Sequence, residues 1–316
     1  QQIADLKNIF GNTPNTIFYR ALDAAMGADV FSALATQLQQ AGIIPIVSMV
    51  IYPDWSSFTS QTQAYNYAYG IATQAVQAAP NVAYWIVGNE WNWQEPIKSQ
   101  YANLGLYASD WSGAASFPVY LGMAAGAIAG IRDHNPSAKI VGWTLIGFSV
   151  ALANGLRNYN GRNLLWDYTN VHWYNDAALG GPPDAVGNWG LPDNYDDGHY
   201  NVYSLLASIG KPLFFDEFGS GDAGSPSNNG AAAGQKLVGL MNNFVSHSAG
   251  TSSSPGVVAG TIYQLYSDNS AYRLYDTSGS TTTISPQGQA VKNWIAQNGN
   301  PAGSLPAGCS GPLHNS

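Results

Sequence analysis

Short apolar runs alternate with segments of helical periodicity along this 316-residue chain. The apolar runs are nearly continuous, which is typical of strands buried on both faces of a parallel sheet. They predict strands at residues 15–20, 43–51, 82–87, 139–145, 169–174, 211–219 and 257–266. Apolar residues at helical spacing between these runs predict helices at residues 2–10, 30–40, 61–79, 120–132, 150–158, 202–209, 231–247 and 287–298.

This alternation predicts an α/β fold with a parallel sheet closed as a (β/α)8 TIM barrel. No linker divides residues 1–300, which we expect to form a single barrel domain followed by a Gly/Pro/Ser-rich tail at 301–316. A doubly wound sheet would require a glycine-rich phosphate loop after the first strand, and the sequence has none. Seven inner strands are evident and the chain opens on a helix, so we expect the first barrel strand to be missing or atypical.

The composition favours a protein that handles neutral, hydroxyl-rich ligands. Charged residues make up only 9% of the chain, far below the usual figure of about 25%. The net charge of −8 argues against nucleic-acid binding. No apolar run approaches the roughly 20 residues of a membrane span. We expect a secreted monomer without a cofactor, and the absence of Asn-X-Ser/Thr sequons favours a bacterial source.

Glutamate is rare in this chain. Of nineteen acidic residues only three are glutamates, namely Glu90, Glu95 and Glu217. Glu90 and Glu217 each stand at the end of a predicted buried strand, whereas Glu95 precedes a proline in a loop and is predicted to be solvated surface. Cleavage of a glycosidic bond requires such a pair, with one acid for the leaving oxygen and one carboxylate to attack or to activate water.

Other polar and aromatic residues also stand at predicted strand ends, which meet at one mouth in a parallel barrel. Arg20 could equally be a structural ion-pair partner, and His172 a buried core histidine. Trp91 could be core or the wall of a sugar subsite, and its position just past Glu90 favours the wall. The histidines show no metal-ligand spacing, so no catalytic metal is expected. We expect substrate-binding roles for Arg20, Trp55, Asn89, Trp91, Trp143, His172, Tyr174 and Tyr263.

The order of these residues resembles that of the clan A glycoside hydrolases, retaining (β/α)8 enzymes typified by families 5 and 39. Arg20 matches the end of strand two, and Asn89 with Glu90 matches strand four. His172 to Tyr174 matches the His-X-Tyr of strand six, and Glu217 stands at strand seven. Residues 274–290 resemble the passage from strand eight into the last helix. The resemblance spans almost the whole chain.

The resemblance implies a role for each of these residues. Glu90 would be the general acid/base and Glu217 the nucleophile, with Asn89 on the sugar 2-hydroxyl. Tyr174 and Arg20 would keep Glu217 ionised, because a hydrogen-bond donor and a nearby cation both favour the charged carboxylate. The implied reaction is retaining hydrolysis of β-glycosidic bonds in a neutral polysaccharide, within chains rather than at their ends.

The sequence departs from the clan pattern at two sites besides the first strand. The strand-eight tryptophan of the clan has no counterpart, and Tyr263 or Tyr266 is the expected substitute. The strand-three histidine of family 5 is replaced by the run from Tyr52 to Trp55. A non-catalytic carbohydrate-binding barrel is therefore the alternative hypothesis. An α/β esterase is set aside because the chain has no Gly-X-Ser-X-Gly motif.

Overall fold

The computed structural model describes residues 1–94, 107–144, 146–174, 190–194, 201–220, 230–251, 255–266, 272–278 and 281–299. Its strands are β1 (Ile17–Asp23), β2 (Ile43–Met49), β3 (Tyr84–Val87), β4 (Lys139–Gly142), β5 (Tyr168–Tyr174), β6 (Leu213–Gly219), β7 (Val257–Ile262), β8 (Tyr275–Ser278) and β9 (Thr281–Ile284). Its α-helices are α1 (Gln2–Phe10), α2 (Ala28–Gln40), α3 (Gln61–Ala78), α4 (Ala108–Ser112), α5 (Phe117–His134), α6 (Ile146–Leu156), α7 (Val202–Leu206), α8 (Ala231–Ser246) and α9 (Pro286–Asn298). In these ranges no helix has the length and apolar character needed to cross a bilayer.

Strands β1 to β7 form one sheet in which each strand neighbours the next along the chain. The pairs β2–β3, β3–β4, β4–β5 and β6–β7 are parallel. Every residue of β2, β3 and β5 is buried, as expected for strands covered on both faces. The predicted fold class is confirmed: strand order and helical crossovers are those of a (β/α) barrel.

The chain divides into two compact units. The Glu90 unit comprises Phe18–Val171 and Leu205–Lys211, and the Glu217 unit comprises Gln1–Ile17, His172–Ser204 and Pro212–Ser316. Strand β5 contributes residues to both. The prediction of a single domain over residues 1–300 stays a prediction, and residues 301–316 lie outside the described residues.

In the Glu90 unit, helices α3 and α5 approach closely because small residues face one another. Ala64, Ala68 and Ala72 of α3 are fully buried. A Cβ atom at Gly126 of α5 would lie only 2.1 Å from the carbonyl oxygen of Tyr65, closer than any real contact. Glycine at this position therefore permits the contact that holds the two helices behind β3 and β4.

Two segments differ from the sequence-based expectation. Strand β4 ends at Gly142, so Trp143 lies just after the strand and not inside it. Strands β8 and β9 form an antiparallel pair in a sheet of its own, and neither is a strand of the parallel sheet. The run of β-branched threonines in β9 favours this extended pairing. The helix predicted at 287–298 follows as α9.

Candidate active site

Three consecutive strands of the Glu90 unit end in the same unusual backbone conformation. Val50 follows β2, Glu90 follows β3 and Trp143 follows β4, and their φ angles are 55°, 45° and 58°. Residues other than glycine seldom adopt positive φ, which costs roughly 1–3 kcal/mol and is concentrated at functional sites. The carboxyl ends of β2, β3 and β4 therefore share a backbone feature that is typical of functional sites.

The main chain around Glu90 is fixed by neutral hydrogen bonds. Its backbone N–H donates to Thr144 Oγ1 over 3.1 Å, and the Trp91 indole N–H donates to the Val50 carbonyl over 2.9 Å. Gly88 has a φ of +79°, and a Cβ atom there would lie 2.5 Å from the Trp91 ring. Only glycine leaves room for that ring, so the turn that carries Glu90 depends on Gly88.

Asn89 is oriented by two neighbours in the same unit. Arg20 Nη2 donates to Asn89 Oδ1 over 2.5 Å, and Asn89 Nδ2 lies 3.5 Å from the Tyr52 hydroxyl. The Gln94 side chain also donates to the Asn89 carbonyl over 2.8 Å. The structure thus brings Arg20 and Asn89 together, as a shared site requires. We call Arg20, Asn89, Glu90, Trp91 and Thr144 the Glu90 cluster.

The tryptophans predicted to contact substrate lie inside the Glu90 unit. Trp55, Trp91 and Trp143 are all buried. Trp91 makes an edge-on contact with Trp55 at 5.2 Å and a tilted one with Trp143 at 5.6 Å between ring centroids. Trp55 also donates its indole N–H to Gln94 Oε1 over 2.8 Å. These rings thus pack against one another beside the strand ends, as in the core reading left open for Trp91, and their predicted contact with substrate stays a prediction.

Asp54, at the end of the β2 loop, has a structural role. Its carboxylate accepts hydrogen bonds from the hydroxyls of Ser56 and Ser57 and from the Ser56 backbone N–H. These hydrogen bonds hold the pKa of Asp54 below its usual value. The carboxylate therefore caps the short 3-10 helix Trp55–Ser57.

In the Glu217 unit, Glu217 is held through its side chain. The Tyr174 hydroxyl donates a short hydrogen bond to Glu217 Oε1. His172 Nε2 lies 3.6 Å from Glu217 Oε2 and 3.5 Å from Asp216 Oδ1. The Glu217 side chain is 17% exposed, whereas those of His172 and Asp216 are buried. We call His172, Tyr174, Asp216 and Glu217 the Glu217 cluster.

The Asp216 carboxylate lies on the same side of β6 as that of Glu217, although alternation along the strand predicts the opposite side. Strand alternation places it on the face opposite Glu217, yet both carboxylates approach the same imidazole nitrogen. The pairing of β6 with β7 shifts register between Phe215 and Phe218. Such a bulge breaks the strict alternation of side chains and accounts for the convergence.

Of the two tyrosines expected to replace the strand-eight tryptophan, Tyr263 lies near Glu217. Its ring makes an edge-on contact with Tyr174, with centroids 6.2 Å apart. Tyr272, which the sequence analysis did not single out, contacts both rings. Tyr266 instead donates a short hydrogen bond to the Asp5 carboxylate on α1. Tyr263 is thus the tyrosine that packs beside Tyr174, and its role in substrate binding stays a prediction.

Two supporting residues in the Glu90 unit escaped the sequence analysis. Thr144 directly follows Trp143 and accepts the Glu90 backbone N–H, and Gln94 links Trp55 to the carbonyls of Asn89 and Ile51. The signal available for Thr144 was its position near the end of the strand predicted at 139–145. Glu95 lies outside the described residues.

Comparisons with known proteins identify the fold. No protein-family model matches the sequence, and no curated protein is detectably similar to it.

Among solved structures, the chain is similar to a β-glucosidase from Thermotoga maritima in complex with cyclophellitol. The two share 12% identity, the match covers 94% of this chain and 86% of that chain, and the TM-score is 0.62. It is also similar to a β-glucosidase from Exiguobacterium marinum, with 10% identity, coverage of 94% and 86%, and a TM-score of 0.59. A β-glycosidase named BGL167 matches with 13% identity, coverage of 93% and 85%, and a TM-score of 0.57. At these identities the similarity establishes the fold, and the reaction has to be argued from the site.

Proposed function

We propose that this protein is a retaining β-glycoside hydrolase of the clan A type, with Glu217 as nucleophile and Glu90 as acid/base. The observation that carries the proposal is the environment of the Glu217 carboxylate, which accepts a hydrogen bond from Tyr174 and lies 3.6 Å from His172. A carboxylate that attacks a sugar must be ionised, and hydrogen-bond donors favour that form. The barrel fold shared with β-glucosidases supports the same reaction class.

The arrangement of the Glu90 cluster supports the second role. Arg20 fixes the side-chain oxygen of Asn89, so the Asn89 amide is held in one orientation beside Glu90. A hydrogen bond from such a group to the sugar 2-hydroxyl strengthens in the transition state. The strained turn places Glu90 at a strand end, where barrel enzymes build their chemistry.

The reaction has two steps. In the first, Glu217 forms a bond to the anomeric carbon while the bond to the leaving oxygen breaks, and Glu90 gives its proton to that oxygen. In the second, the ionised Glu90 takes a proton from water, the water oxygen bonds to the anomeric carbon, and Glu217 leaves as a carboxylate. Two inversions give net retention.

We further propose a neutral polysaccharide as substrate, cleaved within its chains. The low charge content supports a neutral ligand. Long aromatic-bearing segments follow the predicted strands at 82–87 and 169–174, and these would suit an open cleft. We also propose that the protein is a secreted monomer from a bacterium, since the sequence has no Asn-X-Ser/Thr sequon. Light scattering would test the monomeric state, and fractionation of the source culture would test secretion.

A glycan screen with three glutamate variants tests the proposal. Purified protein is incubated with glucans, mannans, xylans and bacterial exopolysaccharides, and product sizes are followed over time. Glu217→Ala should abolish turnover, and azide should restore activity to Glu90→Ala with an aryl glycoside that carries a good leaving group. Glu95→Ala, at the third glutamate, is the matched control and should retain full activity.

Two results would contradict the proposal. Normal turnover by Glu217→Ala would remove the nucleophile from the mechanism. Glycan binding by calorimetry with no product from any polysaccharide would instead establish the non-catalytic carbohydrate-binding barrel. Early appearance of mid-sized products would support cleavage within chains, whereas steady release of one small sugar would show action at chain ends.

A further inference from the structure

A groove of about 400 Å³ opens at the carboxyl ends of β1 and β2 in the Glu90 unit. Two tyrosines on its lining are solvent-exposed, Tyr52 by 75% and Tyr67 by 45%. Buried Phe31 and the aliphatic Ile51 and Ile71 give it an apolar lining. We call it the Tyr52 groove. Its volume lies within the range of small-molecule sites, and it has no part in the mechanism above.

The charge of the groove restricts what it can hold. None of the described residues that line it is Lys, Arg or His. Its one carboxylate belongs to Asp23, which already accepts the Ala25 backbone N–H over 2.9 Å. Tyrosine hydroxyls and the Gln74 amide supply uncharged donors and acceptors. An anionic ligand would find no positive partner there, whereas a neutral sugar would find both apolar and hydrogen-bonding surface.

Two residues that line the groove also contact the Glu90 cluster. Tyr52 lines the groove, and its hydroxyl lies 3.5 Å from Asn89 Nδ2. Val50 also lines it, and the Val50 carbonyl accepts the Trp91 indole N–H. The segment that holds the Glu90 cluster is thus also one wall of the groove.

We infer that the Tyr52 groove is a remote subsite that binds a neutral pyranose unit of the same glycan chain. This inference rests on the proposed function for its choice of occupant. Exposed tyrosine faces suit the apolar C–H face of a sugar ring, and the groove lies beside the residue proposed to bind the 2-hydroxyl. The occupant is therefore a further unit of the substrate, and longer substrates gain affinity from it.

Calorimetry on an inactive background tests the subsite directly. The Glu217→Gln protein is titrated with β-1,4-linked gluco-, manno- and xylo-oligosaccharides of two to six units. Affinity should rise with length for the series that binds. Adding Tyr67→Ala should reduce the affinity for the longest oligosaccharide about tenfold, which corresponds to about 1.4 kcal/mol. The affinity for the disaccharide should not change, and Tyr67→Phe should retain the full affinity because it keeps the ring.

The control is Tyr69→Ala, which removes a tyrosine from the same helix α3 but outside the groove. Tyr69 stacks on Tyr65 and contacts Asp133, so its loss should leave every affinity unchanged. The Tyr67 ring also packs against Phe58, with ring centroids 5.0 Å apart, so its removal could lower stability. Thermal unfolding of each variant therefore checks that the fold is intact. Equal affinities of the Tyr67→Ala and parent proteins at all lengths would overturn the subsite.

The two proposals fail in different ways. If the native protein cleaves a glycan and Tyr67→Ala has no length-dependent effect, the reaction stands and the subsite falls. If nothing is cleaved but binding depends on length and on Tyr67, the subsite stands and the hydrolase assignment falls. If no oligosaccharide of the panel binds, or if oligogalacturonate binds through Tyr67, the inference of a neutral-sugar subsite is wrong.

Discussion

The two glutamates are held by different means. Glu90 is positioned through its main chain, by a left-handed turn, the Thr144 hydroxyl and the buried Trp91. Glu217 is held through its carboxylate, by the Tyr174 hydroxyl and the nearby His172. Main-chain contacts fix where a carboxyl group lies, whereas side-chain contacts also decide whether it is charged. The hydrogen bonds described for Glu90 thus fix its position, whereas those of Glu217 also favour its charged form.

This difference suits two carboxyl groups that must play opposite roles. A retaining hydrolase needs one carboxyl group protonated and one ionised at the same pH, and protein environments separate such pairs. Titratable partners surround Glu217, including the second carboxylate of Asp216 on the same imidazole. A variant of Thr144, which holds only the main chain of Glu90, should thus alter rate without altering pH dependence. Variants of the Glu217 cluster should alter both.

The largest effect is expected from Gly88→Ala. The new methyl group would overlap the Trp91 ring, and alanine tolerates the φ of +79° poorly. Strain and overpacking together should lower the free energy of unfolding by about 2–5 kcal/mol. Displacing Glu90 should also lower kcat at least about a hundredfold. Chemical denaturation and steady-state kinetics on an aryl glycoside measure the two effects.

Gly70→Ala is the matched control for this substitution. Gly70 lies within α3, and a methyl group there would meet nothing within 4 Å. Alanine in a helix interior should add about 0.5–1 kcal/mol of stability and leave kcat unchanged. A Gly88→Ala protein with native stability and activity would show that the Glu90 turn does not need glycine.

Tyr174→Phe should have the next largest effect, and it concerns ionisation. Loss of a hydrogen bond to a charged group costs about 1.5–3 kcal/mol, which predicts about a 10- to 150-fold lower kcat/KM. The hydroxyl favours the ionised carboxylate, so its removal favours the protonated form. The acidic limb of the kcat/KM profile should therefore move to higher pH.

Tyr52→Phe is the comparison for this pH measurement. It removes a hydroxyl that contacts Asn89 in the Glu90 cluster and should leave the acidic limb in place, whatever its effect on rate. If both variants shift the limb equally, the separation of position from ionisation is wrong. If Tyr174→Phe lowers the rate with no shift, the hydroxyl serves only to position Glu217.

The sequence predicted the strands and the two glutamates because these depend on local pattern and on composition. Buried parallel strands are continuous apolar runs, and the rarity of glutamate singled out Glu90 and Glu217. The full burial of Trp91 could not be predicted in this way. Its burial depends on a carbonyl aimed by the left-handed Val50 and on the space left by Gly88, which are tertiary features without a local pattern.

Asp216 illustrates the same limit in the other unit. Strict alternation along a strand assigned it to the face away from Glu217, and a register shift in β6 brings it to His172. A bulge depends on pairing with the neighbouring strand, so a single strand read alone does not reveal it. The β8–β9 pair was missed for a related reason: the periodicity of a single strand does not show with which strand it pairs.

Thr144→Val is expected to have the smallest effect. It tests most directly whether the position of Glu90 affects the rate independently of pH. Valine keeps the shape of threonine but leaves the Glu90 backbone N–H without its Oγ1 acceptor, at a cost of about 1–3 kcal/mol. Because the lost bond holds the main chain, kcat should fall roughly tenfold, with the pH profile unchanged. Thr169→Val is the control: it removes a buried acceptor from the Trp166 indole N–H on β5, at a residue paired with Gly142 of β4, and leaves the bond to the Glu90 main chain in place. A comparable loss of stability there without a loss of kcat would assign the Thr144 effect to the position of Glu90, whereas equal losses of kcat would assign it to general destabilisation of the unit.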